Sequence, residues 1–324
     1  MTRARVLLTT AGRKSYLAPI FKASRACGFV LAVDADPLSP IRHRADHFAV
    51  VPRVDDAEAF LEALLDLCLE WDIDCILPQN DRELAILALA RGVFEKEGIL
   101  VAGVGPDQVR LASDKLLLAD WMRSHGLPYP ETALAHPPVF PAEGLVEKDR
   151  FGQGSAGLVL HDAPPPGPLA RDKVVQPRIA GEEFNLDVLR DAAGEVVGVS
   201  VKRKLLMQGG STDRAVSARV PALVRLGERL AEALGAFGSI DVDVMLREGE
   251  PVVLDVNPRI GGGFPFTAAY CPAYVDALLE VATGRPVGRR ELPYEAGVLV
   301  CREATYTASR LPTPVAAPSR REEA

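Results

Sequence analysis

The chain has 324 residues, 48% of them hydrophobic and 25% charged, with a formal net charge of -7. That length and polarity fit two or three globular domains, and the acidic balance argues against nucleic acid as the main partner, because phosphate backbones select basic surfaces. No window approaches the roughly 20 apolar residues of a membrane span. The N-terminus MTRARVLLTTAGRK lacks a signal peptide's apolar core and cleavage site, so a cytoplasmic protein is expected. Cys27, Cys68, Cys75, Cys271 and Cys301 form no CxxC and read as reduced, mostly buried thiols.

Over the first hundred residues, aliphatic runs (Val6–Thr10, Phe29–Val33, Cys75–Leu77, Ile99–Ala102) alternate with helical periodicity, which predicts a parallel sheet covered by helices. Asp55 with Glu58 three residues on reads as the capping box of a helix over 57–71. Gly28 and Gly98 stand where helix C-terminal glycines belong. From about residue 113 the rhythm changes. Ser113 is the expected cap of a helix to about His125, and LPYPET breaks it. Strands are expected near 145–148, 158–161, 173–179, 184–190 and 196–203, with APPPGP at 163–168 a stiff connection. A helix over about 221–235 precedes the hairpin SIDVDVML–REGE–PVVLDVN, another helix is expected near 272–283, and the tail 311–324 reads as disordered.

Chemistry-bearing residues cluster in a few places. After the first strand only Gly12 remains of a GxGxxG fingerprint, so a Rossmann-like scaffold without a dinucleotide is expected. His43 and His47 have no third ligand nearby and read as packing histidines. Gln153 stands where a GxSxG elbow around Ser155 would need glycine. In LVEKDRFGQGSAG, a strand delivers Lys148 and three glycines flank Ser155, which is either a phosphate nest or a flexible turn. In VVQPRIAGEEFNLDVL, Pro177 keeps its C=O and Ile179 its N–H, as a purine-binding hinge needs; an edge strand tolerating proline is the alternative. In the hairpin, a loop centred on Gly249 sets Asp243 opposite Asp255, and Asp255, Asn257 and Arg259 share one face. Two carboxylates and an amide suit a hard cation such as Mg²⁺, with an Asp255–Arg259 salt bridge as the alternative. Arg203, Lys204 and the segment QGGSTDR containing Ser211 are substrate candidates or a surface turn.

In this order, the acidic stretch PQNDREL (78–84), SDK (113–115), EKDRFGQGSAG, VVQPRIAGEE and DVDVML…LDVNPR resemble the ATP-grasp superfamily, especially its carbamoyl-phosphate-synthetase and biotin-carboxylase-like branch. The resemblance covers about residues 5–310. It implies an α/β N-terminal pre-ATP-grasp domain over 1–110 and an α+β ATP-grasp fold over 111–310 with a small mobile lid at about 127–178. ATP would lie between two antiparallel sheets. The resemblance puts Lys115 and Lys148 on phosphates, with Gly154 and Ser155 closing over them. Gln176, Pro177, Arg178 and Ile179 would hold adenine and Glu183 the ribose. Asp243, Asp255 and Asn257 would hold Mg²⁺ or Mn²⁺, and Arg259 and Lys148 would be catalytic.

Two departures stand out: Asp149 follows the lid lysine where proline is usual, and both metal carboxylates are aspartates where glutamates are common. The implied activity is an ATP-dependent ligase that activates a small-molecule carboxylate as an acyl phosphate for attack by an amine, in a protein compatible with a homodimer. Phosphorylation of carbamate or bicarbonate is the nearest rival, weakened by the lack of a biotin-carrier segment. A nucleotide-binding regulatory protein is the other, weakened by intact Lys148, Asp255, Asn257 and Arg259.

Overall fold

Aliphatic runs separated by amphipathic helices favour a parallel sheet with both faces covered, and the N-terminal third folds this way. The computed structural model describes residues 3–152, 157–165, 167–303 and 306, so Gly154, Ser155 and the tail 311–324 lie outside the described residues. Strands β1 (Ala4–Thr9), β2 (Cys27–Asp34), β3 (His47–Val50), β4 (Cys75–Leu77) and β5 (Leu100–Val101) pair in parallel in the order β3-β2-β1-β4-β5. Helices α1 (Leu17–Lys22), α2 (Ala57–Glu70) and α3 (Asp81–Lys96) connect them. Three local expectations are corrected here. The cap of α2 is Asp56, whose carboxylate accepts from Ala59 N–H, and not Asp55. Gly28 is the second residue of β2 and ends no helix. Ser113 ends one helix, α4 (Pro106–Ser113), and the extended Asp114 caps the next, α5 (Lys115–Ser124), through bonds from the Leu116 and Leu117 N–H groups.

Then come three short strands, β6 (Leu145–Asp149), β7 (Val159–His161) and β8 (Lys173–Pro177), which form an antiparallel sheet in the order β7-β6-β8. The chain next builds an antiparallel sheet from β9 (Glu182–Arg190), β10 (Val196–Gln208) and β11 (Ser211–Ala218). Helix α6 (Pro221–Leu234) follows, ending on left-handed Gly235, and then β12 (Gly238–Arg247) and β13 (Glu250–Asn257). After α7 (Phe264–Tyr270) and α8 (Pro272–Val281), β14 (Leu299–Cys301) completes the sheet in the order β13-β12-β9-β10-β11-β14.

The domains are joined by a common core. Val6, Leu8, Val30 and Leu77 of the parallel sheet pack with Phe264, Tyr274 and Leu278 of α7 and α8. The other face of that sheet is covered by Phe60, Leu64 and Phe94 of α2 and α3. One face of the antiparallel sheet, with Leu186, Val201, Val242 and Val256, packs on Leu226 and Leu230 of α6. Its other face meets α7 and α8 through Leu189, Val197 and the buried polar residues Asp187, Ser200 and Lys202, and carries Asp241 and Asp243 toward the cleft. Among the described residues no helix is long and apolar enough to cross a membrane. Cys27, Cys68, Cys75 and Cys271 are buried free thiols and Cys301 is exposed. His47 stacks on Trp71, with ring centroids 4.3 Å apart, as a packing histidine does.

Candidate functional site

Alternation along β12 sends Val242 and Val244 into the core and Asp241 and Asp243 to the cleft. Asp243 pairs directly with Asp255, and Asp241 with Asn257. The connection is a two-residue turn through Glu248 and Gly249, both left-handed (φ 52° and 87°). That turn alone would place Asp243 opposite Leu254. A bulge at Leu254 shifts the register by one residue and brings Asp255 across from Asp243.

Asp241 is buried, and its carboxylate accepts from Asn185 Nδ2 (2.8 Å) and Asn257 Nδ2 (3.0 Å). Burial, with the Asp243 and Asp187 carboxylates, pushes its pKa up to about 6. Asp243 accepts from Asn185 Nδ2 (2.8 Å) and pairs with Lys204 (2.7 Å), which also bonds Glu183 (2.8 Å). Burial pulls the Lys204 ammonium down, but these two carboxylates together hold it above its ordinary value. Asp255 differs: among the described residues no hydrogen bond reaches its carboxylate. Burial raises its pKa, against the charges of Lys115 and Lys148. It lines a cleft of about 610 Å³ with Asn257, Asp81, Phe151 and Gly152. Because Asn257 turns its amide nitrogen to Asp241, its Oδ1 is left as an acceptor, 3.4 Å from Arg259 Nη2.

Two lysines reach the cleft from other elements. Lys148, on β6, donates to the Leu254 C=O (3.5 Å), and burial pushes its pKa down to about 8 against the pull of Asp255. Lys115 opens α5, is buried, and donates to the Gly152 C=O (2.8 Å). Beside it, Arg150 grips the Asp114 carboxylate with two bonds (2.9 and 2.6 Å), tying the root of the glycine loop to α5. Asp149, the departure from the usual proline, pairs with Lys173 (2.6 Å). Its carboxylate lies so close to left-handed Gly157 that a Cβ there would come within 2.6 Å of it.

The backbone of β8 explains its proline. Leu145 pairs with Pro177, and the Arg178 N–H bonds the Gly144 C=O (3.0 Å). Pro177 therefore occupies a non-hydrogen-bonded position, where its missing N–H removes no ladder bond and its C=O faces the other edge. On that edge Val175 exchanges two bonds with Ala133 (2.9 and 3.0 Å). Further along it, the Ile179 N–H has no partner among the described residues. Gln176 is buried and donates to Thr132 Oγ1 (2.7 Å).

Of the remaining candidates, Glu183 and Lys204 sit beside Asp243, whereas Arg203 pairs with Glu182 at the surface and Ser211 is exposed at the tip of the β10–β11 hairpin. The side chain of Arg178 pairs with Asp162, away from the cleft (2.9 Å). Arg259 does not pair with Asp255; its guanidinium forms an ion pair with Asp81 at the start of α3. The loop after it runs tight against the sheet, since a Cβ on Gly261 would lie 2.0 Å from Asp241 and one on Gly263 2.3 Å from Asn185.

Sequence reasoning missed Asp241, Asn185, Asp81 and Lys14. Asp241 carried a usable signal, two residues before Asp243 in the same strand. Lys14 carried only its place after the first strand; its ammonium donates to the Gln79 C=O (2.8 Å).

A parallel N-terminal domain, an antiparallel sheet bearing carboxylates, and a small three-stranded sheet delivering a lysine define an ATP-grasp protein. Residues 112–263 match the ATP-grasp domain and residues 6–102 the PylC-like N-terminal domain. It is 26% identical over 244 residues to the 3-methyl-D-ornithine–L-lysine ligase of Methanosarcina barkeri, a match covering 74% of this chain and 63% of that protein, so it spans less than two thirds of the relative's length. In structure it is similar to N5-carboxyaminoimidazole ribonucleotide synthetase from Thermotoga maritima (TM-score 0.64, 18% identity, 90% of this chain and 78% of that one). It is also similar to the biotin carboxylase domain of Hydrogenobacter thermophilus 2-oxoglutarate carboxylase, solved with MgADP, ADP and bicarbonate (TM-score 0.67, 16% identity, 93% and 75%). At these identities the shared property is the fold.

Proposed function

We propose that this protein is an ATP-dependent carboxylate–amine ligase, joining a small-molecule carboxylate to an amine with release of ADP and phosphate. The observation that carries this reading is the convergence of Lys115, Lys148, Asp243, Asp255 and Asn257 on one cleft, with Arg259 at its edge. The curated relative is a ligase of 3-methyl-D-ornithine and L-lysine, which favours amino acids as the substrate class.

In this reading the Pro177 C=O and Ile179 N–H receive adenine, Glu183 the ribose, and Lys115 and Lys148 the phosphates. Two carboxylates and an amide oxygen, one carboxylate being free of hydrogen bonds, fit Mg²⁺ or Mn²⁺. Asp243, Asp255 and Asn257 would hold the ion, which would neutralise phosphate charge. A carboxylate oxygen attacks the γ-phosphorus of ATP, the bond to the β-phosphate oxygen breaks, and ADP leaves. The amine then attacks the acyl carbon and phosphate departs. Arg259 stabilises negative charge at this end of the cleft, while lid closure excludes the water that would hydrolyse the acyl phosphate. The buried free thiols support a reducing, cytoplasmic setting.

The test is a coupled ADP-release assay with MgATP and the twenty amino acids, singly and in pairs, with bicarbonate as a separate arm. ADP release that requires an amino acid carboxylate and is greatest with an amine partner is expected. Arg259→Ala should bind ATP nearly as well yet turn over about a hundredfold more slowly, the usual cost of losing an oxyanion donor. Stimulation by bicarbonate alone, or by no carboxylate, overturns the reading.

A further inference from the structure

Strand β6 ends on Asp149, directly after Lys148 and at the position where proline is usual in the family the sequence resembles. A proline there would fix φ near about −65° just before the glycine loop. An aspartate leaves φ free, so in this chain side chains must hold the loop. The register shows which ones. Asp149 stands directly opposite Lys173 of β8, and the two form an ion pair (2.6 Å). Leu145 with Pro177 is a non-hydrogen-bonded pair, so Asp149 with Lys173, four residues along, is another, and side chains approach most closely at such positions.

Lys173 reaches further than Asp149. Its ammonium also donates to the Gly157 C=O (3.1 Å), at the far end of the loop. The Asp149 side chain fills the same corner: a Cβ on left-handed Gly157 would come within 2.6 Å of its carboxylate, and one on Gly152 within 3.0 Å of its own Cβ. Asp149 and Lys173 therefore touch both ends of the stretch 152–157. The first end has a second tie, because Arg150 grips Asp114 and the Lys115 N–H donates to the Arg150 C=O (3.2 Å). At Gly157, among the described residues, Lys173 is the side chain that supplies a hydrogen bond.

We propose that Asp149 and Lys173 are positioning residues that staple the base of the glycine loop, holding it where Lys148 presents its ammonium to the nucleotide phosphates. This rests on the proposed function for the identity of the ligand. Neither side chain touches ATP. Adjacent residues of a strand point to opposite faces, so Asp149 and its partner lie on the far side of the lid sheet from the Lys148 side chain, which reaches Leu254 across the cleft. Loss of the staple is therefore felt at the phosphates and not at the adenine.

The experiment uses the full chain with Lys173→Met and Asp149→Asn, which remove one charge each, and Lys173→Arg, which keeps it. Calorimetric titrations with MgATP and with adenosine separate the two ends of the nucleotide site. Each uncharged variant should bind MgATP about fivefold more weakly, the upper range for a partly exposed ion pair, and adenosine within about twofold of wild type. Lys173→Arg should recover most of the loss. The double variant Asp149→Asn/Lys173→Met should bind MgATP no more weakly than Lys173→Met alone, because both remove one interaction. Hydrogen–deuterium exchange of the nucleotide-free chain gives an independent readout: peptides covering residues 150–158 should exchange faster in Lys173→Met. If Lys173→Met melts well below the wild type, Asp149→Asn, which keeps size and removes only charge, takes its place. Equal losses for MgATP and adenosine would mark a general structural role and overturn the proposal. MgATP affinity within twofold of wild type in both single variants, or unchanged exchange, overturns it too. If the wild type binds no MgATP, the proposed function fails and the phosphate role with it, while the exchange measurement still decides the staple.

Discussion

Glu83 has no exposed surface, accepts a bond of 2.6 Å from the Thr9 hydroxyl, and keeps its Oε1 buried without a hydrogen-bond partner. Burial pushes its pKa from 4.5 up to about 7, so the folded state holds a proton that the unfolded chain releases. Between those pH values the native state binds more protons, and stability from this group falls as pH rises, by on the order of 3 kcal/mol at most. Glu83→Gln keeps an acceptor for Thr9 and carries no charge. Its urea midpoint relative to wild type should rise from pH 5 to pH 8, with the variant the more stable at pH 8; a difference independent of pH would show that Glu83 ionises normally. Single side chains of this kind were poorly legible in the sequence. Asp255, Asn257 and Arg259 stood out because their alternation breaks an apolar run, whereas Glu83 looked like an ordinary first-turn carboxylate of α3. Its burial comes from β1, which is distant in sequence.

Among the elements, the β12–β13 hairpin shows how a local reading can reach the right pair by the wrong route. A turn centred on Gly249 and a two-residue turn followed by a bulge both set Asp243 against Asp255, and nothing in PVVLDVN distinguishes them. The β10–β11 hairpin was less legible. Leu205, Leu206 and Met207 are apolar yet partly exposed, so the strand lacks the alternation that would have extended it to Gln208. The proline of β8 was legible as a candidate hinge because its chemistry is local: it lacks a donor and keeps an acceptor, and whether adenine uses it is the proposal. The Pro177 C=O and Ile179 N–H match the N6 donor and N1 acceptor of adenine; guanine presents the reverse pair. ATP should therefore bind at least about tenfold more tightly than GTP, the cost of an unpaired buried group. Equal calorimetric affinities would remove the hinge assignment.

At the scale of the whole molecule, the parallel domain and the antiparallel sheet are bound by one core, with Phe264 and Tyr274 packed among Val6, Leu8 and Val30. The ion pair between Asp81 and Arg259 crosses the same boundary. Periodicity in a sequence reports which face of an element is apolar but not which other face it meets, so the order of the elements was legible and this docking was not. The docking is what brings Lys14 and Asp81 to the edge of a site otherwise built from β6, α5, β12 and β13. Formation of an acyl phosphate in this cleft, as proposed, is read out by oxygen tracing. The amino acid that supports ADP release is labelled with ¹⁸O in its carboxylate, and the phosphate released during turnover is analysed by mass spectrometry. The acyl-phosphate route predicts one labelled oxygen in each phosphate, because the bridging oxygen leaves with phosphorus; phosphate without label, released in step with ADP, would contradict it.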